Sequence, residues 1–385
     1  MADGLEKIGS RRHFQYIVVG CGGIGSGALY WLSKRAPGDV LGLEQFQLGH
    51  DNGGSQDVSR IIRLTYHDDR YTWAEVERES GQQLVYKTGG LQLSERGLTD
   101  HITEHYAQSM QRNNIPFERL TAEQLKARFP QFTPAPNTVA LFEKEAGLVD
   151  AALGNATHVQ LARGNGAVVI DRCPVTTTLG KFTCRRLVVT AGAWINDVLG
   201  SIGVQVPVTV TQEQVTYFAT PHMKDFSKDR FPIMQYHTPT NNIYALPIHG
   251  NSGTKIGIDA AGPHVTANTR TFTPDPARVK VCTDLLQQIL PKFLGPVLFT
   301  KTCLYAMTPD RHFVVDTCSR QGYSDVIVCN GAGHAYKFAS LLGKILSELA
   351  VDGRTRYDIL QFNMDRPAIT DPNFKPTRNY VDAKL

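Results

Sequence analysis

No stretch of this chain approaches the roughly 18 consecutive apolar residues that a bilayer span requires, and no membrane association is expected. Its seven cysteines, Cys21, Cys173, Cys184, Cys282, Cys303, Cys318 and Cys329, are odd in number and contain no C-x-x-C pair. That argues against a disulfide framework and against structural zinc, so no metal is expected and a reducing compartment fits. Neither sign of charge dominates: 40 basic and 36 acidic residues leave a net +4. The pairs Arg11-Arg12 and Arg185-Arg186 are isolated, and nothing resembles the basic stripe of a nucleic-acid binder. There is no internal repeat and no low-complexity linker. The opening MADGLEKIGSRR lacks the apolar core of a signal peptide.

What remains is an ordinary globular composition, 42% hydrophobic and 20% charged over 385 residues. That length implies two domains or one large α/β domain. The first informative segment is QYIVVGCGGIGSGALYWLSKRAPGDVLGLEQF at 15–46. Tyr16 to Val19 reads as a buried strand. Gly20, Gly22 and Gly25 follow in G-x-G-x-x-G spacing, with Gly23 and Ile24 inside the motif. A helical stretch with Ala28, Leu29 and Leu32 ends at Pro37-Gly38, and a second strand, Val40 to Leu43, leads into Glu44-Gln45. A glycine motif between a strand and a helix predicts a dinucleotide site. Gly20 permits the tight turn, Gly22 the approach of a pyrophosphate, and Gly25 the close packing of helix on strand. The helix N-terminus attracts the phosphates, and Glu44 is placed to accept ribose hydroxyls.

Two later segments repeat the strand-then-small-residue pattern: LVVTAGAW at 187–194, and VIVCNGAGHAYKF at 326–338 with a helix running to about Leu349. A cofactor domain assembled from the first and last parts of the chain suits FAD better than NAD. KTCLYAMTPD at 301–310 poses a separate question. By itself Cys303 fits a small buried hydrophobe, a disulfide partner, a metal ligand or a reactive thiol.

The segments GCGGIG at 20–25, GSQDVSRIIR at 54–63, LVVTAGAW, IYALPIHGNSGTKIG at 243–257, CLYAMTPD at 303–310 and GAGHAYKF at 331–338 run nearly end to end. In that order the sequence resembles the monomeric sarcosine oxidase family of flavin amine oxidases, and most of all its animal peroxisomal sarcosine and pipecolate oxidases. The resemblance implies FAD held covalently through Cys303, in a C-x-Y segment shared with Tyr305. It implies oxidation of a secondary amine beside a carboxylate: sarcosine, another N-methyl amino acid, or pipecolate. For sarcosine the imine hydrolyses to glycine and formaldehyde, and oxygen accepts the electrons as hydrogen peroxide. The resemblance assigns Arg63 and Lys337 to the substrate carboxylate, Tyr244 and Tyr305 to the pocket wall, and Lys255 to oxygen activation. It sets Arg60 and His334 beside the flavin. The expected cofactor contacts are Gly20, Gly22, Gly23, Ile24, Gly25, Glu44, Gln45, Ser59, Arg60, Cys303, Gly331, Gly333, His334 and Lys337. Arg60 and Arg63 are expected on one helical turn or tight loop that aims both inward. Lys255, in the alternating GTKIGID, reads as a strand residue.

Three departures from the family stand out. Asp259 occupies the position of a pocket histidine, which points to altered substrate choice. The segment around 67–73 is shorter than in relatives, and so is that around 175–182. For the first gap a splice variant, an imperfect gene model and a remodelled pocket all fit. Two alternative activities follow: an amine dehydrogenase with another electron acceptor, and a catalytically impaired flavoprotein. The expected architecture is α/β with mixed α+β character. A Rossmann-like FAD domain (1–90, 150–205 and 300–385) interleaves with a substrate domain (91–149 and 206–299) built on an antiparallel sheet. A monomer is expected, with the amino acid and oxygen as small-molecule partners. The tripeptide Ala383-Lys384-Leu385 is a conservative variant of the S-K-L address. Combined with a peroxide-forming reaction, it predicts binding by the peroxisomal import receptor and residence in the peroxisome.

Overall fold

The computed structural model describes residues 8–63, 69–174 and 180–376. The terminal tripeptide, and parts of the short segments at 67–73 and 175–182, lie outside the described residues.

A six-stranded sheet has the order Val314–Cys318, Tyr323–Asn330, Thr183–Val189, His13–Val19, Val40–Leu43 and Val168–Ile170. All its pairings are parallel except the hairpin of the first two strands. Such strands are buried on both faces and so read as continuous apolar runs, as Tyr16–Val19 does. Val18 faces a core shared with Leu29 and Leu32 of the helix Gly23–Arg35 and Leu342 and Ile345 of the helix Ala339–Asp352. Ile17 and Val19 face the opposite side, with Leu41, Leu43 and Ile170.

The second sheet has eight strands, in the order Val297–Met307, Thr209–Phe218, Thr254–Ile258, Asn242–Leu246, Ile233–His237, Gly90–Glu95, Thr138–Glu143 and Glu118–Thr121. It is antiparallel except between Ile233–His237 and Gly90–Glu95. Period-two alternation divides its strands between two environments. Leu91, Leu93, Met234, Ala245, Ile256 and Ile258 pack against Cys282 and Leu286 of the helix Pro276–Ile289. The alternate residues Gln235, Tyr244, Leu246 and Lys255 line a cavity between the two sheets. A small third sheet, Ser59–Ile62, Gly147–Asp150 and Val85–Lys87, closes one side.

The region 80–145 contains two helices, Asp100–Arg112 and Ala122–Arg128. The first buries a stripe of Ile102, Tyr106 and Met110. The strand Val297–Met307 runs through residue 300 and pairs along its length with Thr209–Phe218 in the eight-stranded sheet. Among the described residues no helix is long and apolar enough to cross a membrane, and no three His, Cys, Asp or Glu gather as metal ligands.

Candidate active site

The strand His13–Val19 delivers Gly20 to the mouth of a cavity of about 540 Å³. Gly20 has φ +88°, and a Cβ there would lie 2.8 Å from the carbonyl oxygen of Thr190. At Gly25 a Cβ would lie 1.8 Å from the carbonyl oxygen of Gly20, so only glycine lets the helix Gly23–Arg35 sit this close to its strand. Gly22 precedes the helix without a side-chain cap, and the Gly23 N–H donates to Ser55 Oγ at 2.9 Å. The result is an open helix N-terminus facing the cavity, a setting that favours phosphate. At the end of the second strand, Glu44 accepts from the N–H groups of Cys21 (2.8 Å) and Phe46 (3.1 Å) and lies 3.3 Å from His50 Nε2. Burial alone would raise its pKa. The hydrogen bonds from His50, Phe46 and Cys21 outweigh burial and hold the carboxylate ionised at the cavity wall.

At the other end of the cavity the eight-stranded sheet contributes Cys303 and Tyr305, two residues apart on one face of the strand Val297–Met307. Burial pushes the Cys303 thiol up to about 11, against the opposing field of Arg60. Lys255 is 1% exposed; its Nζ donates to Asp57 Oδ2 and to the Ser59 carbonyl, each at 2.6 Å. Asp57 also receives Arg60 Nη1 and, at 2.5 Å, the Tyr217 hydroxyl. Burial raises a carboxyl pKa, but the charges of Lys255 and Arg60 prevail and hold Asp57 well below its usual range. Burial and Arg60 push Lys255 down to about 8 despite Asp57. Tyr244 lies across the sheet over Gly257, where a Cβ would meet its hydroxyl at 2.6 Å.

Arg63 lies in the cavity wall with Nη1 donating to Gln235 Oε1 at 2.5 Å. Lys337 Nζ donates to the His334 carbonyl at 2.9 Å, and its own carbonyl accepts from Trp73 Nε1 at 2.9 Å. Burial and the nearby Lys337 and Arg311 charges push His334 down to about 3, so the imidazole is neutral. Asp259 Oδ2 lies 3.3 Å from both Nη atoms of Arg311. Against the raising effect of burial, Arg311 keeps Asp259 ionised.

The cavity therefore brings together every site residue expected from the sequence except Gly25 and Ser59. Gly25 acts in packing. Ser59 is 1% exposed on the strand Ser59–Ile62 and offers Lys255 its carbonyl; Ser55 takes the place at the cavity wall. Arg60 and Arg63 do not share a helical turn. Strand geometry would send residues three apart to opposite faces, but the strand stops at Ile62, and Arg63, just past it, lines the cavity with Arg60. His334 precedes the short 3-10 turn Ala335–Phe338 rather than the α-helix, which begins at Ala339. Sequence reasoning missed Asp57, Gln235 and Arg311. Asp57 had a signal in D-x-x-R spacing with Arg60; the other two have none outside the fold.

The FAD dependent oxidoreductase family matches residues 15–349. The chain belongs to that family, on its sarcosine-oxidase-like side. It is 29% identical to monomeric sarcosine oxidase of Arthrobacter sp. (strain TE1826), over 93% of this chain and 98% of that one. It is 32% identical to peroxisomal sarcosine oxidase of Mus musculus, over 91% and 95%. Its fold is that of NikD, an unusual amino acid oxidase essential for nikkomycin biosynthesis, with a TM-score of 0.79 at 22% identity, covering 91% of this chain and 97% of that one. The six-stranded sheet is thus the core of a Rossmann-like FAD domain, and the protein is an FAD-dependent oxidoreductase.

Proposed function

We propose that this protein oxidises a small secondary amino acid, sarcosine, another N-methyl amino acid or pipecolate, with oxygen as acceptor. The observation that carries the reading is a single cavity running from the open glycine turn at Gly20 and Gly22 to two cations, Arg63 and Lys337, beside two tyrosines. The residues present fit FAD. Gly20, Gly22, Gly23 and Ile24 would receive its pyrophosphate, and Glu44 and Gln45 its ribose. Gly331, Gly333, His334 and Arg60 would border its ring, and Cys303 is the candidate for a covalent thioether. Bound FAD would supply the two-electron acceptor for the amine.

The chain's residues have distinct tasks in this reading. Arg63 offers a planar fork and Lys337 a point charge to the carboxylate. Tyr244 and Tyr305 enclose the apolar part of the substrate and exclude water. Asp259, fixed by Arg311, adds an anionic patch that tunes which amine is accepted. Lys255, held by Asp57 and Ser59, sets a buried cation where negative charge develops on oxygen. For sarcosine, oxygen and water, the products are glycine, formaldehyde and hydrogen peroxide.

Ala383-Lys384-Leu385, a peroxide product and a peroxisomal relative together support residence in the peroxisome. The test of the reaction is anaerobic reduction of the purified holoenzyme by a panel of secondary amino acids, followed by peroxide measurement on admitting air. Bleaching by a member of the panel with one peroxide per turnover is expected. Bleaching without peroxide favours the dehydrogenase alternative, and no bleaching sinks the catalytic reading.

A further inference from the structure

Behind Arg63 lies a row of polar side chains in the interior of the eight-stranded sheet. Gln235 and Gln92 are register partners on neighbouring parallel strands, and His237 follows Gln235 two residues along. Their exposures are 8%, 8% and 1%. Apolar residues at such positions cost nothing to bury, whereas polar ones are tolerated only when bonded. Here they bond in series. Arg63 Nη1 donates to Gln235 Oε1 at 2.5 Å, Gln92 Nε2 donates to that same oxygen at 2.9 Å, and Gln92 Oε1 lies 3.0 Å from His237 Nε2. Tyr106, from the helix Asp100–Arg112, stacks on His237 at 5.6 Å and sets its ring 5.1 Å from the Arg63 guanidinium carbon.

The direction of every bond in the row is fixed. A guanidinium has donors only, so Gln235 must present its oxygen to Arg63. Gln92 must then present its amide nitrogen to that oxygen. Its own oxygen is left as an acceptor, and His237 must carry its proton on Nε2.

We propose that His237, Gln92 and Gln235 form a positioning chain that fixes the orientation of the Arg63 guanidinium in the cavity and so sets affinity for the substrate carboxylate. The inference rests on the reading of Arg63 as a carboxylate ligand. His237 and Gln92 act through Arg63 and do not line the main cavity. Two amides and one imidazole tautomer, each with a single permitted orientation, hold the fork more rigidly than one hydrogen bond would.

The test uses the holoenzyme, with sarcosine and L-pipecolate as carboxylate probes and N-methylglycinamide as the probe without one. Anaerobic stopped flow gives an apparent Kd and a limiting rate of flavin reduction. Gln92→Leu should raise Kd for the carboxylate probes by up to about tenfold, the upper worth of one neutral hydrogen bond. The limiting rate should stay within about twofold, since binding lost equally from the ground and transition states leaves the rate unchanged, and N-methylglycinamide, which has no carboxylate to meet Arg63, should be unaffected. Gln92→Glu, which offers only acceptors, should force the Gln235 amide to turn its nitrogen toward Arg63 and weaken binding at least as much. His237→Gln keeps a donor and should bind like wild type, whereas His237→Leu should follow Gln92→Leu. If Gln92→Leu does not fold, the His237 pair decides. Unchanged Kd in Gln92→Leu and His237→Leu, or equal losses for probes with and without a carboxylate, would overturn the proposal. Arg63→Ala, run alongside, separates the two readings. If it loses carboxylate affinity and the positioning variants do not, the chain fails alone. If Arg63→Ala itself keeps that affinity, the parent reading fails as well.

Discussion

Lys255 Nζ and Asp57 Oδ2 stand 2.6 Å apart with both side chains almost fully buried, on residues 198 positions apart in sequence. A buried ion pair of this kind is weak evidence for stability, because desolvation offsets much of the Coulomb gain. Its value lies in placement: Asp57 also binds Arg60 and Tyr217, so the lysine cannot swing to solvent as strand lysines usually do. Lys255→Met keeps the length and removes the charge. Reoxidation of the reduced flavin by oxygen should slow by roughly two to three orders of magnitude, the usual worth of a fixed electrostatic group. Reduction by substrate should change far less. Stopped-flow traces with normal reoxidation in the variant would remove Lys255 from the mechanism and revive the dehydrogenase alternative.

The same lysine predicts a pH limb. Burial and Arg60 bring its pKa down to about 8, so the ammonium is present below that pH and lost above it. The second-order rate with oxygen should fall as pH rises through about 8 in the wild type. In Lys255→Met this limb should be missing. A wild-type rate flat from pH 7 to 9 contradicts the assignment.

Cys303 should retain FAD when the protein is precipitated in acid, leaving the yellow chromophore in the pellet. Cys303→Ala should release any bound flavin to the supernatant and lose most activity. Freely extractable flavin in the wild type would return Cys303 to the status of a buried thiol.

His158 offers a prediction about stability. It is stacked between Tyr30 and Trp73, with ring centroids 5.8 and 5.0 Å away, and burial pushes its pKa down to about 3. In the unfolded chain it titrates near its ordinary value of about 6.5. Between those values the unfolded state binds the extra proton, so stability falls as pH falls below about 6.5, by up to ~1.4 kcal/mol per unit. His158→Phe keeps an aromatic ring and cannot titrate. Urea unfolding between pH 7 and 5 should show a shallower acid slope in the variant by about one proton. Identical slopes would mean that His158 charges in place.

A fusion of a fluorescent protein to the N-terminus should enter peroxisomes, and removal of Ala383-Lys384-Leu385 should leave it diffuse. Diffuse signal from the intact tail, or import without it, would refute the targeting reading.

Much of the site was legible because its chemistry is local. The glycine turn, C-x-Y on one strand face and the alternation around Lys255 each need only a few neighbouring residues. The partners were not legible. The spacing of Asp57 to Arg60 left a local trace, but its bonds to Lys255 and Tyr217 of the eight-stranded sheet exist only in the fold, as do those of Gln235 to Gln92 and Arg63. Arg60 and Arg63 both line the cavity as expected, but from a short strand and the position just past it, in place of the helical turn that was one of the two geometries expected.

The pairing of His13–Val19 with Thr183–Val189, and of that strand with Tyr323–Asn330, also has a consequence for biogenesis. The ring of His13 reaches Thr183 Oγ1 across 170 residues of chain, and Trp73 bonds the carbonyl of Lys337 across 264. Contacts this distant are slow to form and leave strand edges unpaired meanwhile. The nascent polypeptide emerges with its glycine turn first and its second cation near the end. While it is still on the ribosome, the early segments have no complete cavity in which to capture the cofactor. Flavin loading is therefore expected only once the strand Tyr323–Asn330 and Lys337 have been made.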